Sequence, residues 1–144
     1  MIINSIVDTV SNQLYEEFNI DVLFEDVFQG QRYPFIKINL VNINSKELIN
    51  DGRLYQIRFD IAYSVKDGRD VAELTDFFVR VRECIGVLRL CDYTEYNNML
   101  PAYNIRCEIV ENVAHFMVVY DVHLHREKEI GDVYEKFINK IEVI

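Results

Sequence analysis

The chain has 144 residues, half of them hydrophobic, and a formal net charge of −9. That length gives one domain with a core large enough to fold without disulfides or metal, and two prolines and five glycines argue against a disordered chain. The acid excess speaks against a nucleic-acid grip, which needs a basic footprint, and against docking on an anionic membrane.

In chain order, the first element is a helix with Ile3, Val7, Val10, Leu14 and Phe18 on one stripe and Ile2 and Ile6 beside it. Asn19 suits its end, because Asn tolerates the left-handed backbone that closes many helices. Residues 20–27 read as a first strand, and Gln29-Gly30-Gln31 as a turn. Residues 35–41 form a second strand, with Ile36, Ile38 and Leu40 inward and Lys37 and Asn39 outward. Pro34 sits where no ladder donor is lost.

Residues 42–53 read as a polar connection, too long for a tight hairpin. A third strand follows, with Tyr55, Ile57, Phe59, Ile61, Tyr63 and Val65 facing in and Gln56, Arg58, Asp60 and Ser64 facing out. Asp70 and Glu73 suit a capping box for a second helix, whose stripe is Val71, Leu74, Phe78, Val81, Ile85 and Leu88. Residues 91–103 read as a loop.

The clearest segment is 105–126, a hairpin turning at Glu111-Asn112. In its second arm Ala114, Phe116, Val118, Tyr120, Val122 and Leu124 alternate with His115, Met117, Asp121, His123 and His125, giving one dry and one wetter face. The expected fold is α+β, a mostly antiparallel sheet of about five strands with two helices packed on one face. Residues 1–126 would form the domain. Residues 127–144 would form an amphipathic helical extension with Ile130, Val133, Phe137, Ile141 and Ile144 on its stripe.

A signal peptide is not expected, since no basic region precedes the first apolar residues and Asp8 interrupts them. No apolar run reaches the ~20 residues of a spanning helix. Cys84, Cys91 and Cys107 are an odd set without metal-like spacing and are expected to be buried thiols in a reducing cytoplasm.

Chemistry is sparse. There is no phosphate loop, nucleophile elbow or paired-cysteine box. His123 and His125 share a strand face with Asp121 and His115, but closed zinc sites need four ligands in tetrahedral array. We expect solvated or interfacial side chains and no metal or cofactor. Glu16, Glu17, Asp21, Glu25 and Asp26 read as a solvated acidic edge rather than an acid–base pair, which needs a pocket that splits two pKa values. On the outward sheet face Lys37, Arg58 and Arg106 balance Asp60, Glu108 and Asp121, so the acid excess belongs to helices, loops and tail.

Five segments in sequence order carry a resemblance: Phe24-Glu25-Asp26-Val27-Phe28-Gln29-Gly30; Pro34-Phe35-Ile36-Lys37-Ile38; Ser45-Lys46-Glu47-Leu48; Phe59-Asp60-Ile61-Ala62-Tyr63; and Ile109-Val110-Glu111-Asn112-Val113-Ala114-His115-Phe116. Together they resemble the small phage tail terminator family of Gram-positive phages and phage-like elements. Glu111-Asn112 departs from the expected Asp-Gly turn, a mild change because Asn also adopts positive φ.

The resemblance implies a non-enzymatic structural virion protein, made in the bacterial host cytoplasm and placed at the head-proximal end of a tail. It would form a ring, expected to be a hexamer, that ends tube polymerisation, offers the head connector a docking surface and leaves a channel for DNA. Glu16, Glu17, Asp21, Glu25 and Asp26 are then candidates for the channel or its rim. Asn44, Ser45, Lys46, Glu47 and Leu48 are candidates for contact with tube or sheath, and Ile130, Val133, Phe137 and Ile141 for docking on a neighbouring subunit. A head-completion or neck adaptor protein is the nearest alternative. A soluble, non-enzymatic α+β ligand-binding domain is the alternative from another class, to be recognised by a stable monomer with a deep apolar pocket.

Overall fold

A computed structural model describes residues 2–27, 29–49, 52–66, 71–90 and 99–125, with only the backbone described for Ile2, Ile3, Leu124 and His125. The elements run α1 (Ile2–Phe18), β1 (Asp21–Phe24), β2 (Phe35–Glu47), β3 (Gly52–Ser64), α2 (Val71–Ile85), β4 (Val87–Arg89), β5 (Met99–Val110) and β6 (Val113–His125). They build a six-stranded sheet in the order β1-β2-β3-β6-β5-β4. Only β1–β2 is parallel; the other described pairings are antiparallel.

Two helices on one sheet face agree with the alternation read from the sequence. Ile6, Val7, Val10 and Leu14 of α1 and Leu74, Phe77, Val81 and Ile85 of α2 join one buried cluster with Ile36, Ile38, Ile57, Phe59, Ile61, Ala114, Phe116, Val118, Tyr120 and Val122. Asn19 ends α1 at φ 53°, and Glu111 and Asn112 turn the β5–β6 hairpin at φ 49° and 67°. Both positions thus use the left-handed region anticipated for them.

The expectation of about five strands is corrected to six among the described residues. β1 covers only half of the anticipated 20–27. β4 was hidden because its three residues are too short to display alternation, and β5 begins inside the segment expected to be a loop. In α2 the buried aromatic is Phe77 rather than Phe78, while Val71 is 62% exposed. Phe77 stacks on Tyr63 with centroids 4.6 Å apart and planes 7° apart, and it also meets Phe18 at 5.3 Å. The Asp70 cap, Cys91 and the 127–144 extension lie outside the described residues.

The end of α2 fixes the helical layer. The last carbonyls of a helix have no partner within it, yet here those of Cys84 and Ile85, and the two that follow on the way into β4, at Gly86 and Val87, are each matched from elsewhere. Gln13 Nε2 donates to Cys84 O at 2.8 Å and to Val87 O at 3.1 Å, while its Oε1 accepts from the Arg89 amide at 2.9 Å. Tyr120 Oη donates to Ile85 O at 2.5 Å, and the Ala102 amide to Gly86 O at 2.8 Å. A Cβ at Gly86 would lie 2.5 Å from the Arg82 carbonyl oxygen, so this close junction requires glycine.

Tyr120 is fully buried, and desolvation pushes its phenol far above the ordinary range, so it remains a neutral donor. Tyr120→Phe should leave Ile85 O unmatched in the core and lower stability by about 1–3 kcal/mol, read from the midpoint of a urea titration. An unchanged midpoint would contradict this role.

Candidate assembly surfaces

Because both helices lie on one side, the other sheet face carries most of the sheet's polar residues, with Ala62, Met117 and Val119 among them. The register places Lys37, Ala62, His115 and Glu108 in one row; Asn39, Asp60, Met117 and Arg106 in the next; and Asn42, Arg58, Val119 and Tyr103 in a third. With Asp121 in a fourth row beside Gln56, the three bases and three acids anticipated for this face are assembled on it. His115 Nδ1 lies 3.0 Å from Asp60 Oδ2. Tyr103 Oη donates to Asp121 Oδ1 at 2.5 Å and accepts from Gln56 Nε2 at 2.8 Å. Burial and the Asp121 bond raise the Tyr103 phenol.

A shallow groove of about 100 Å³ crosses the third row, lined by Asn42, Asn44, Gln56, Arg58, Tyr103, Asn104 and Val119. Amides, a guanidinium and a phenol offer hydrogen bonds to a polar surface. Asp121 and His115, two of the four residues weighed as zinc ligands, are engaged by Tyr103 and Asp60, whereas His123 is exposed near the strand end. Among the described residues no cluster of His, Cys, Asp or Glu is placed to hold a metal, and no helix is long and apolar enough to cross a membrane.

Both outer strands are irregular beside the same stretch of the central pair. β2 shifts register between Leu40 and Asn42, opposite Phe59 and Arg58. β5 shifts between Tyr103 and Arg106, opposite Val119 and Met117, with Asn104 at φ 53°. Extra residues of this kind bend and twist a strand. Past this line the sheet runs on as a ribbon of β2, β3 and β6.

The polar connection expected at 42–53 is corrected: most of it is this ribbon. β2 continues to Glu47 and β3 starts at Gly52, with Leu48 N donating to Gly52 O at 2.8 Å and Glu47 paired to Arg53 at 2.9 Å. Asn44, Ser45, Lys46 and Glu47 thus stand on an exposed strand, and Leu48 begins its tip. The sequence reading missed the apolar members of this surface: Val41 is 51% exposed, and Ile49, at the tip, is 91% exposed. Their signal was a β-branched residue recurring within a polar run.

The five candidate acids are all exposed, at the end of α1 and along the β1 edge. Three carry local structure. Glu17 pairs with Arg80 at 3.3 Å, Asp21 accepts from Gln31 at 2.7 Å, and Glu25 Oε1 accepts from the Leu40 amide at 2.8 Å. Arg80 also lies 4.4 Å over the Phe18 ring. Ile130, Val133, Phe137 and Ile141 lie outside the described residues.

The buried-thiol expectation holds in part for Cys84 and fails for Cys107. Cys84 is half-buried and donates to Gln13 O at 3.0 Å; burial, with Glu17 and Glu16 adding to it, pushes its thiol up to about 11. Cys107 is exposed even though it shares the helix-side face with Phe116.

The family model for phage tail terminator proteins matches residues 5–132, so the chain belongs to the phage tail terminator family. No curated protein matches it. Membership makes it a structural component of a phage tail.

Glu16 and Glu17 sit in the last turn of α1, the end whose partial negative charge favours cations. Glu16→Gln should therefore leave the urea midpoint unchanged or raise it, whereas Arg80→Ala should lower it. A midpoint clearly lowered by Glu16→Gln would mean that this acid serves folding rather than a surface.

Proposed function

We propose that this member of the phage tail terminator family acts as a closed homo-oligomeric ring, a hexamer, seated on the head-proximal end of a finished tail. Family membership is the observation that carries this reading. One face of the ring matches the end of the tube and, where present, the sheath. The opposite face presents no surface that admits another tube layer and instead receives the head–tail connector. The role is architectural, without cofactor or catalysis. The ring assembles in the bacterial host cytoplasm.

Charge supports the part played toward DNA. Six copies at −9 each carry about −54, a field that repels duplex rather than adsorbing it, as an exit path requires. Glu16, Glu17, Asp21, Glu25 and Asp26 serve at the channel or its rim. The ribbon end, with Asn44, Ser45, Lys46, Glu47, Leu48 and the exposed Ile49, serves as the contact with tube or sheath. Residues Ile130, Val133, Phe137 and Ile141 dock the C-terminal segment on the neighbouring copy.

Two measurements test this. Ile49→Asp changes one exposed side chain at the ribbon tip, beyond residues 41–47, and should leave the fold intact, yet yield abnormally long tails in electron micrographs. Tails of normal length, with the variant present at normal amount, would contradict the contact. The assembled protein should also fail to retain duplex DNA at low ionic strength; tight retention that weakens with salt would contradict an exit channel.

A further inference from the structure

Among the described residues, two stretches of sheet edge stand open. On its outer side β2 pairs with β1 only from Phe35 to Ile38, and Glu25 then takes the Leu40 amide and, through its own amide, the Ile38 carbonyl. From 41 to 47, β2 has no outer strand partner among the described residues. β5 pairs outward with β4 only from Met99 to Pro101, and the Ala102 amide goes to Gly86. From 103 to 110 it too has no outer partner among the described residues. Unpaired edges of this length invite another strand.

We infer that these two edges bind each other between copies, so that residues 41–47 of one chain pair antiparallel with residues 103–110 of the next and the sheet runs unbroken around the ring. The inference rests on the ring reading above and specifies how the ring closes. β2 is antiparallel to β3, β3 to β6 and β6 to β5, so β2 and β5 run oppositely. A copy rotated about an axis, with the same face inward, therefore meets its neighbour in antiparallel sense. The two surfaces differ, making the contact heterologous, the kind that closes rings.

Register narrows the pairing further. Ile43 lies level with Tyr120 of β6, and Cys107 level with Phe116; both side chains belong to the helix-side face. An odd shift between copies would put that face on opposite sides in neighbouring subunits. Measured along β6, a shift of six sets Lys46 against Arg106, opposing like charges. A shift of four sets Asn42 against Glu108, Ile43 against Cys107 and Asn44 against Arg106, and overlays the open stretches along most of their length.

A four-residue shift of ~13 Å across four strands spanning ~19 Å implies a strand tilt of about 35°, at the edge of the 35–45° found in closed barrels. The open stretches lie at opposite ends of the sheet, as such a tilt demands. The arrangement also covers side chains otherwise left in water, among them Val41 and Ile43 on one edge and Ile109 on the other.

The test is disulfide trapping in the full-length protein. Ile43→Cys, oxidised with copper phenanthroline, should give a covalent ladder on a non-reducing gel that rises to the ring size. The ladder should vanish when Cys107→Ser is added. Asn44→Cys combined with Arg106→Cys reads the same register independently, should the first variant fold poorly. If mass measurement shows a ring but neither pair cross-links, or the ladder survives Cys107→Ser, edge pairing is overturned while the ring reading stands. Another segment, residues 126–144 included, would then cover the edge. A chain that stays monomeric overturns both.

Discussion

Four carbonyls at the junction of α2 and β4 hold this architecture in place. Those of Cys84 and Ile85 would be orphaned if the helix simply stopped, and those of Gly86 and Val87 carry the chain from it into β4. Gln13 reaches from α1, Tyr120 rises from β6, and the Ala102 amide closes from β5. Three elements remote in sequence thus converge on one turn of chain, where Gly86 lies against the Arg82 carbonyl at a distance no Cβ allows. The junction fixes where the helices lie on the sheet. By doing so it also fixes what they leave uncovered.

What they leave uncovered is the part of the molecule available for assembly. One sheet face carries balanced charges and a shallow polar groove, and β2 and β5 run beyond the cover of β1 and β4. Proteins usually blunt such edges with charge, irregular register or a covering segment. Here each open stretch keeps apolar side chains beside its charged ones, and both strands shift register beside the same stretch of the central pair. In the ring proposed above, such an edge is an unfinished contact and not a flaw in a monomer.

Legibility in the sequence followed the cover. Where helices lie on the sheet, alternation separates a dry face from a wet one, so β6, the inner half of β2 and most of β3 were readable. Asn19 and the Glu111-Asn112 turn were readable from backbone preference alone. Where cover ends, a strand has no dry face to mark it. Residues 42–47 consequently looked like a loop. Cys107, placed by alternation on the apolar side, proved exposed. Phe77 and Phe78 could not be separated by spacing, because the choice depends on the Tyr63 ring across the core. Of the candidate surfaces, the neutral sheet face followed from strand parity, whereas Val41 and Ile49 needed the ribbon to be known first.

Electron cryomicroscopy of finished tails, reconstructed at the end nearest the head, tests the central claim most directly. The account expects a closed ring of this chain on the last tube layer, its strands tilted and continuous from copy to copy, with the helices on one side of that continuous sheet. Tail ends that lack the chain, or that carry it as separate copies not joined into a ring, would contradict it.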